Sequence, residues 1–360
     1  MKSSENSKKN IASSAPLRQY VRPSMRMVAE KAGVAMATVS GILSNRSDCY
    51  ASEETRQRVK AMCLELGYRP SIMARALHGK PTATVGLLVP YIHSAEIVAR
   101  EMASFERGAN AQGSMVILTS SQNDPAQEDR MLIELVDRYV DGIAIYPTEQ
   151  GSHQELRRLV MRGFPIVTFD AAERLPFKTD DVSACQFEGG CMQARHLLDI
   201  GRRRACVITS SGNIYVNTRK LAGLEQTLAK AGCPPVKRME IPIVDDRGGY
   251  RNETPDTLRH LLGECDALVA PGDLLALTAL HMALNLGIRV PADLAIIGYN
   301  DMSFVNLTNP PLTTIHDPAE EMGSQAFELL QQRINGTAGN KPRRIEIMPT
   351  LHIRGSTVAV

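Results

Sequence analysis

The sequence predicts a multidomain chain: an all-α helix-turn-helix unit near the N-terminus, then an α/β core of two doubly wound parallel-sheet subdomains. Three observations predict this class. Up to residue 80 apolar residues recur at helical spacing in short stretches, with no β-rich run. Beyond residue 82 short β-rich runs alternate with amphipathic stretches, the βαβα order of parallel sheets covered on both faces. About ten such strands are more than one open sheet usually holds, so two subdomains fit better. Finally, residues 1–80 carry 14 Lys/Arg against 6 Asp/Glu, whereas residues 81–360 carry 27 against 33, so a basic end sits on an acidic body.

In chain order, residues 1–23 are rich in Ser, Asn and Lys with little to bury and read as a disordered tail. Met25, Val28, Ala29 and Ala32 form one helical stripe that breaks at Gly33, and Ala37, Val39, Ile42 and Leu43 form a second. Ser52 is placed to cap a third helix, with Val59, Met62, Cys63 and Leu66 inward and Gly67 ending it. Ser71 to Leu77 reads as a short helix, and Gly79, Lys80 and Pro81 mark a boundary. In the core, strands are expected over 85–89, 115–120, 142–146, 166–170, 205–210, 267–270 and 294–300. Helices are expected over 95–112, 125–140, 154–162, 189–200, 218–231 and 273–286.

Several function classes are excluded by what is absent. No run of apolar residues is long enough to span a membrane, and the polar N-terminus has no apolar signal core, so a cytoplasmic protein is expected. The seven cysteines form no C-x-x-C pair, which favours reduced thiols over a disulfide framework or a zinc site. No nucleophile elbow, phosphate loop, H-E-x-x-H or G-x-G-x-x-G occurs, so neither an enzyme nor a cofactor or metal site is expected. An exported solute-binding protein would need a signal, and would have no use for residues 24–80.

The segment 25–43, helix, Gly-containing turn and helix, is the pattern whose second helix enters a DNA major groove. The match extends well beyond that pattern. VAEKAGVAMATVS (28–40), SEETRQRV (52–59), LGYRPS (66–71) and ARAL (74–77) together resemble the headpiece of the LacI/GalR family of repressors. The resemblance continues through NDPAQEDRMLIELVDRYVDGIAIY (123–146), RRRACVIT (202–209), RKLAGLEQTL (219–228), the stretch 272–301 and PPLTTIHDPAEEMG (310–323), in the family's order. It implies a headpiece over 24–70, a hinge helix and linker over 71–81, and a periplasmic-binding-protein-like core over 82–360 that binds a small-molecule effector and forms a homodimer. The partners it implies are double-stranded operator DNA, an effector (a sugar or related metabolite) and a second copy.

Site residues carry over by position. The recognition helix would start near Ala35 and turn Met36, Ala37, Ser40 and Gly41 to base edges, while Ser24, Thr38 and Thr55 would hold phosphates. Gly41 stands where the family commonly has Arg, and Met36 and Ala37 where it often has polar residues. These side chains cannot make bidentate bonds to bases, but they can touch thymine methyls. Arg46, in a loop about two residues longer than usual, is either a DNA contact or a surface arginine. Ser71, Ala74 and Leu77 lie on the hinge, with Leu77 in the position of the family's minor-groove wedge or else a packing residue. For the effector, strand ends and neighbouring turns offer Tyr91, His93, Tyr146, Asp170, Asp273, Asn300 and Asp317. Lys220 replaces the family's Arg and follows Arg219, leaving open which cation anchors the ligand. Asp273 is a pocket residue or an N-cap, Asn300 replaces a usual Asp, and Asp317 replaces a frequent Gln. With no Trp and few aromatic residues, the composition offers little ring-stacking surface for a simple sugar.

Overall fold

The structure, a computed structural model, describes residues 22–44, 49–70, 79–90, 96–210, 215–241, 261 and 263–358. It divides into two compact units, Met1–Lys80 and Pro81–Val360. Of the tail expected over 1–23, residues 1–21 lie outside the described residues, as do Arg46, Ser71, Ala74, Leu77, Tyr91 and His93.

The first unit holds α1 (Met25–Ala32), α2 (Met36–Leu43) and α3 (Glu53–Leu66). Ser24 caps α1 by accepting from the Met27 amide, and Ser52 caps α3 by accepting from the Thr55 amide. Gly33 and Gly67, at φ of +67° and +65°, end those helices in the left-handed conformation that glycine adopts without a Cβ clash. The expected stripes converge into one core of Val28, Ala29, Ala32, Val39, Ile42, Val59 and Cys63. At about 1.5–3 kcal/mol for each large apolar side chain buried, this small core holds three short helices that would be marginal alone.

The second unit contains two six-stranded sheets. The first joins β1 (Thr84–Val89), β2 (Met115–Ser120), β3 (Gly142–Ile145), β4 (Ile166–Phe169), β5 (Asp180–Ala184) and β11 (Arg344–Ile347). Their order is β11-β5-β4-β3-β1-β2, and all pairs are parallel. The second joins β6 (Ala205–Ser210), β7 (Lys237–Ile241), β8 (Ala267–Val269), β9 (Ala295–Tyr299), β10 (Thr313–His316) and β12 (Thr350–His352) in the order β12-β10-β9-β8-β6-β7. Here β12 is an antiparallel edge strand, so this sheet is not wholly parallel as expected.

Helices cover both faces of each sheet, and strand alternation shows why. On β1, Val85, Leu87 and Val89 face α4 (Glu96–Ala111) and α10 (Ala319–Ile334), while Leu88 faces α5 (Pro125–Asp137) and α6 (Gln154–Met161). On β6, Cys206 and Ile208 pack towards α9 (Asp273–Asn285). Ala205 and Val207 pack towards α7 (Gln186–Asp199) and α8 (Tyr215–Lys230).

The chain passes between the subdomains three times: at Cys185 between β5 and α7, at Asp317–Pro318 between β10 and α10, and at Met348–Pro349 between β11 and β12. Helix α10 and strand β11 return to the first subdomain after the second is nearly complete. The buried strand β5 (DDVSA) is polar in sequence because its acids are bonded inside the fold: Asp181 accepts from Thr168 at 2.7 Å, and Asp180 from Arg333 at 2.8 Å.

Candidate functional site

In the helical unit, α2 begins at its cap Ala35, as expected. Met36 is half exposed and Ala37 exposed at its start, with Ser40 partly so one turn on. Gly41 departs from the expectation. It is buried, and a Cβ there would lie 2.7 Å from Cys49 Sγ, so this position packs the loop against the helix instead of facing outward. The Ser24 and Thr55 hydroxyls lie at the N-terminal ends of α1 and α3, Thr55 Oγ1 being 2.9 Å from Ser52 Oγ. Thr38 is partly exposed on α2.

In the core unit, side chains from both subdomains and from two crossings meet beyond the strand ends. Tyr146, after β3, stacks on Phe169 at 4.4 Å and 8° and donates to Glu101 of α4. Asp170, after β4 at φ +47°, accepts from the Ala184 amide at 3.2 Å. Asp317, on the second crossing, accepts from Gln186 at 3.3 Å. Opposite them, Lys220 of α8 lies 3.7 Å from the centroid of the Tyr299 ring and donates to Pro271 O at 3.2 Å.

Burial sets the electrostatics. It pushes the Glu101, Asp170 and Asp317 carboxyls above their ordinary values. For Asp170 the neighbouring Asp317 adds to the rise, and Lys220 only partly offsets it. The Lys220 ammonium is driven down to about 8 by burial, against the pull of Asp317, Asp170 and Asp273. Burial likewise raises Tyr299, whose hydroxyl lies under α7, where Gly189 leaves room for it. Tyr299 Oη and Gln186 Oε1 are buried with no hydrogen-bond partner among the described residues. Buried polar atoms without partners are uncommon and costly, and they mark where a polar group from outside would be satisfied.

The other expected residues lie around this cluster. Asp273 is not the cap of α9: Gly272 is, without any side-chain bond. Both Asp273 oxygens are instead engaged, accepting from Thr314 Oγ1 at 2.6 Å and from the Met302 amide at 2.8 Å, and burial raises its carboxyl to about 6. Asn300, at φ +104°, presents its carbonyl to Arg100 of the opposite subdomain at 3.2 Å. Arg219 lies outside the cluster, partly exposed over Phe187 and 3.4 Å from Glu173. It helps to line a hollow of about 40 Å³ with Asp170, Gln186 and Arg344. Sequence reasoning missed Glu101, Gln186 and Tyr299. The signal for Glu101 was a charged residue on the same helical face as Val98, Met102 and Phe105; for Tyr299 it was the strand end itself.

Comparison with known proteins follows the same two units. Residues 24–71 match the family model described as bacterial regulatory proteins, lacI family, and residues 194–357 match a periplasmic binding protein-like domain. The chain is 30% identical over 343 residues to the ribose operon repressor of Escherichia coli (strain K12), covering 92% of this chain and 99% of that one. It is 30% identical over 335 residues to the HTH-type transcriptional repressor PurR of Pectobacterium carotovorum subsp. carotovorum (strain PC1), covering 91% and 95%. Among solved structures it resembles the Lac repressor dimer bound to operator and the anti-inducer ONPF. That likeness has a TM-score of 0.79 and 23% identity over 94% of this chain and all of that one.

Proposed function

The chain belongs to the lacI family of bacterial regulatory proteins, and from that premise we propose that it is an operator-binding repressor whose effector is a neutral or cationic molecule rich in hydrogen-bond donors. It is a DNA-binding transcription regulator controlled by a small molecule held in its core. The observation that carries the effector reading is the imbalance of the cluster between the subdomains. Glu101, Asp170 and Asp317 are acceptors when ionised, the Gln186 Oε1 amide oxygen is a further acceptor, and against them stand the buried Lys220 and, acting on Glu101 and Asp317, Arg100. A phosphate or carboxylate placed there would face like charges at low dielectric. Hydroxyl or amine donors would satisfy these acceptors, and the stacked Tyr146–Phe169 pair offers an apolar face to a ring.

The polar groups of the cluster, Glu101, Asp170, Lys220 and Asp317, are themselves buried, contributed by both subdomains and by the second crossing between them. Ligand entry is proposed to part the subdomains about their three crossings, and that hinge motion is the proposed signal to the DNA-binding unit. Residues 71–81 are the proposed hinge, with Leu77 as a minor-groove wedge, and Ser24, Thr38 and Thr55 the proposed phosphate contacts. The relatives named above are repressors, which supports a regulator without enzymatic activity. A homodimer on a pseudo-palindromic site and a cytoplasmic location complete the proposal. Among the described residues no helix is long and apolar enough to cross a membrane.

A thermal-shift panel on the full chain tests the effector class. Ribose, glucosamine, cytidine and ribose 5-phosphate serve as probes, because a ligand that binds only the folded state raises the midpoint. Stabilisation by an uncharged or amine-bearing probe is expected, and stabilisation by the phosphate ester alone would refute the charge argument.

A further inference from the structure

Three side chains that the effector reading does not use meet where β9, β10 and β12 end. Asp301 Oδ2 lies 3.1 Å from His316 Nδ1 and 2.8 Å from His352 Nδ1. One donor atom from each of the three residues falls within 4.8 Å of the others. We propose that Asp301, His316 and His352 form a binding site for a divalent transition-metal ion of the zinc or nickel class, with two imidazoles and one carboxylate as ligands and a solvent-facing fourth position.

The backbone brings the three together from positions 15 and 36 residues apart, a spacing with no local motif. In the antiparallel pair of β10 and β12, His316 is opposite Thr350 and Thr314 is opposite His352. The two histidines are therefore diagonal neighbours on one face, with ring centroids 5.2 Å apart and planes 18° from parallel. The turn after β9 supplies the carboxylate. Asn300 and Asp301 both have positive φ there, +104° and +54°, a conformation that non-glycine residues hold only when their surroundings impose it.

Arg354 completes the arrangement by taking the other oxygen, Asp301 Oδ1, at 2.7 Å while donating to Leu312 O at 2.9 Å. This fixes the carboxylate and leaves Oδ2 turned to the imidazoles, as outer partners of metal ligands do. Zinc–nitrogen and zinc–oxygen bonds of about 2.0–2.1 Å put tetrahedral ligand atoms roughly 3.3 Å apart. The two oxygen–nitrogen spacings, 3.1 and 2.8 Å, need to open by only a few tenths of an ångström. Side-chain exposures of 13% for Asp301, 31% for His316 and 42% for His352 leave an approach for the ion and its water. Imidazole ligands select this metal class over calcium or magnesium, which require oxygen donors.

Occupancy has a consequence across the cleft. His316 Nε2 lies 3.4 Å from Arg100 Nη2, a guanidinium that Glu320 neutralises at 2.8 Å within its own subdomain. An ion on Nδ1 puts the imidazole proton on Nε2, so a donor then faces a donor. The Arg100 contact with the second subdomain weakens, and metal binding becomes coupled to the motion of the subdomains.

The test uses the full chain, stripped with a chelator, desalted and titrated with zinc or nickel chloride by calorimetry, with X-ray absorption on the loaded protein. Expected are one equivalent per chain, an absorption shell of nitrogen and oxygen with imidazole scattering, and at least tenfold weaker binding in His316→Gln and in His352→Gln. The metal should also raise the unfolding midpoint of the wild type and not of the double variant, which compares each protein with itself even if the variants start less stable. No bound equivalent, undiminished binding by the double variant, or a sulfur shell from the cysteines would each overturn the proposal.

Discussion

The Lys220 ammonium sits 3.7 Å above the Tyr299 ring while three carboxyls, Asp170, Asp273 and Asp317, act on it through space. A desolvated cation over an aromatic face gains about 2 kcal/mol, but it has no direct carboxylate partner within ion-pair distance among the described residues. Its proposed role is to balance the acidic cluster and orient the effector. Lys220→Met is expected to abolish effector binding, with at least a tenfold loss in calorimetry, while operator affinity stays within about threefold. Equal losses of both would make Lys220 a folding residue only.

Asp273 gives a pH signature. Its folded value of about 6 lies above the ordinary 3.8, so its contribution to stability is full below about 4 and is lost as pH rises through 6. Asp273→Asn keeps both contacts, because the amide oxygen can accept from the Met302 amide and the NH2 can donate to Thr314 Oγ1. Relative to wild type the variant should gain about 2 kcal/mol between pH 4 and pH 7, read from urea unfolding at several pH values. A difference that stays constant with pH contradicts the assignment.

Gly189 and Tyr299 are coupled by contact, since a Cβ on Gly189 would collide with Tyr299 Oη. Gly189→Ala should cost about 1–3 kcal/mol of stability, and adding Tyr299→Phe should recover part of it in a double-mutant cycle. Tyr299→Phe alone removes a buried hydroxyl without a partner, so it should leave stability unchanged or higher while weakening the effector. Additive effects of the two changes would show that the hydroxyl does not fill the space beside Gly189.

At the proposed DNA-reading helix, Met36 and Ala37 are the exposed side chains at the start of α2. They can read thymine methyls but cannot make bidentate bonds to bases. Replacing thymine by deoxyuridine at the contacted half-site positions should lower affinity of the wild type several-fold and have little effect on Met36→Ala. Affinity should fall steeply with salt in both proteins, because phosphate contacts release counterions. Equal sensitivity of the two proteins to the missing methyl would remove Met36 from the interface.

The fold was legible wherever periodicity and order were local. The three headpiece stripes, the caps Ser52 and Gly67 and the strands β1, β2 and β6 lie where the apolar pattern puts them. What was not legible depends on distant partners. Strand β5 hides behind its acids, which Thr168 and Arg333 satisfy, and β12 pairs with β10 only after the third crossing. The same holds for the site. Asp170 and Asp317 could be taken from strand ends and family positions. Glu101 and Gln186 could not, because a buried acid and a buried amide acquire meaning only from Tyr146 and Asp317 beside them. Gly41 was misread as outward because the pull of Cys49, eight residues on, is invisible to helical phase.

The proposed regulation is one coupling, between a donor-rich ligand held by Asp170 and Lys220 and the affinity of the headpiece for DNA. The most direct measurement is fluorescence anisotropy of a labelled duplex from the protein's own upstream region. It is titrated with wild type and with Asp170→Asn, with and without the probe that most raises the unfolding midpoint. Specific binding by both proteins is expected, with a probe-induced change in affinity of at least tenfold in the wild type that is absent in Asp170→Asn. Specific binding that the probe leaves unchanged in the wild type, or changes equally in both proteins, would contradict that coupling.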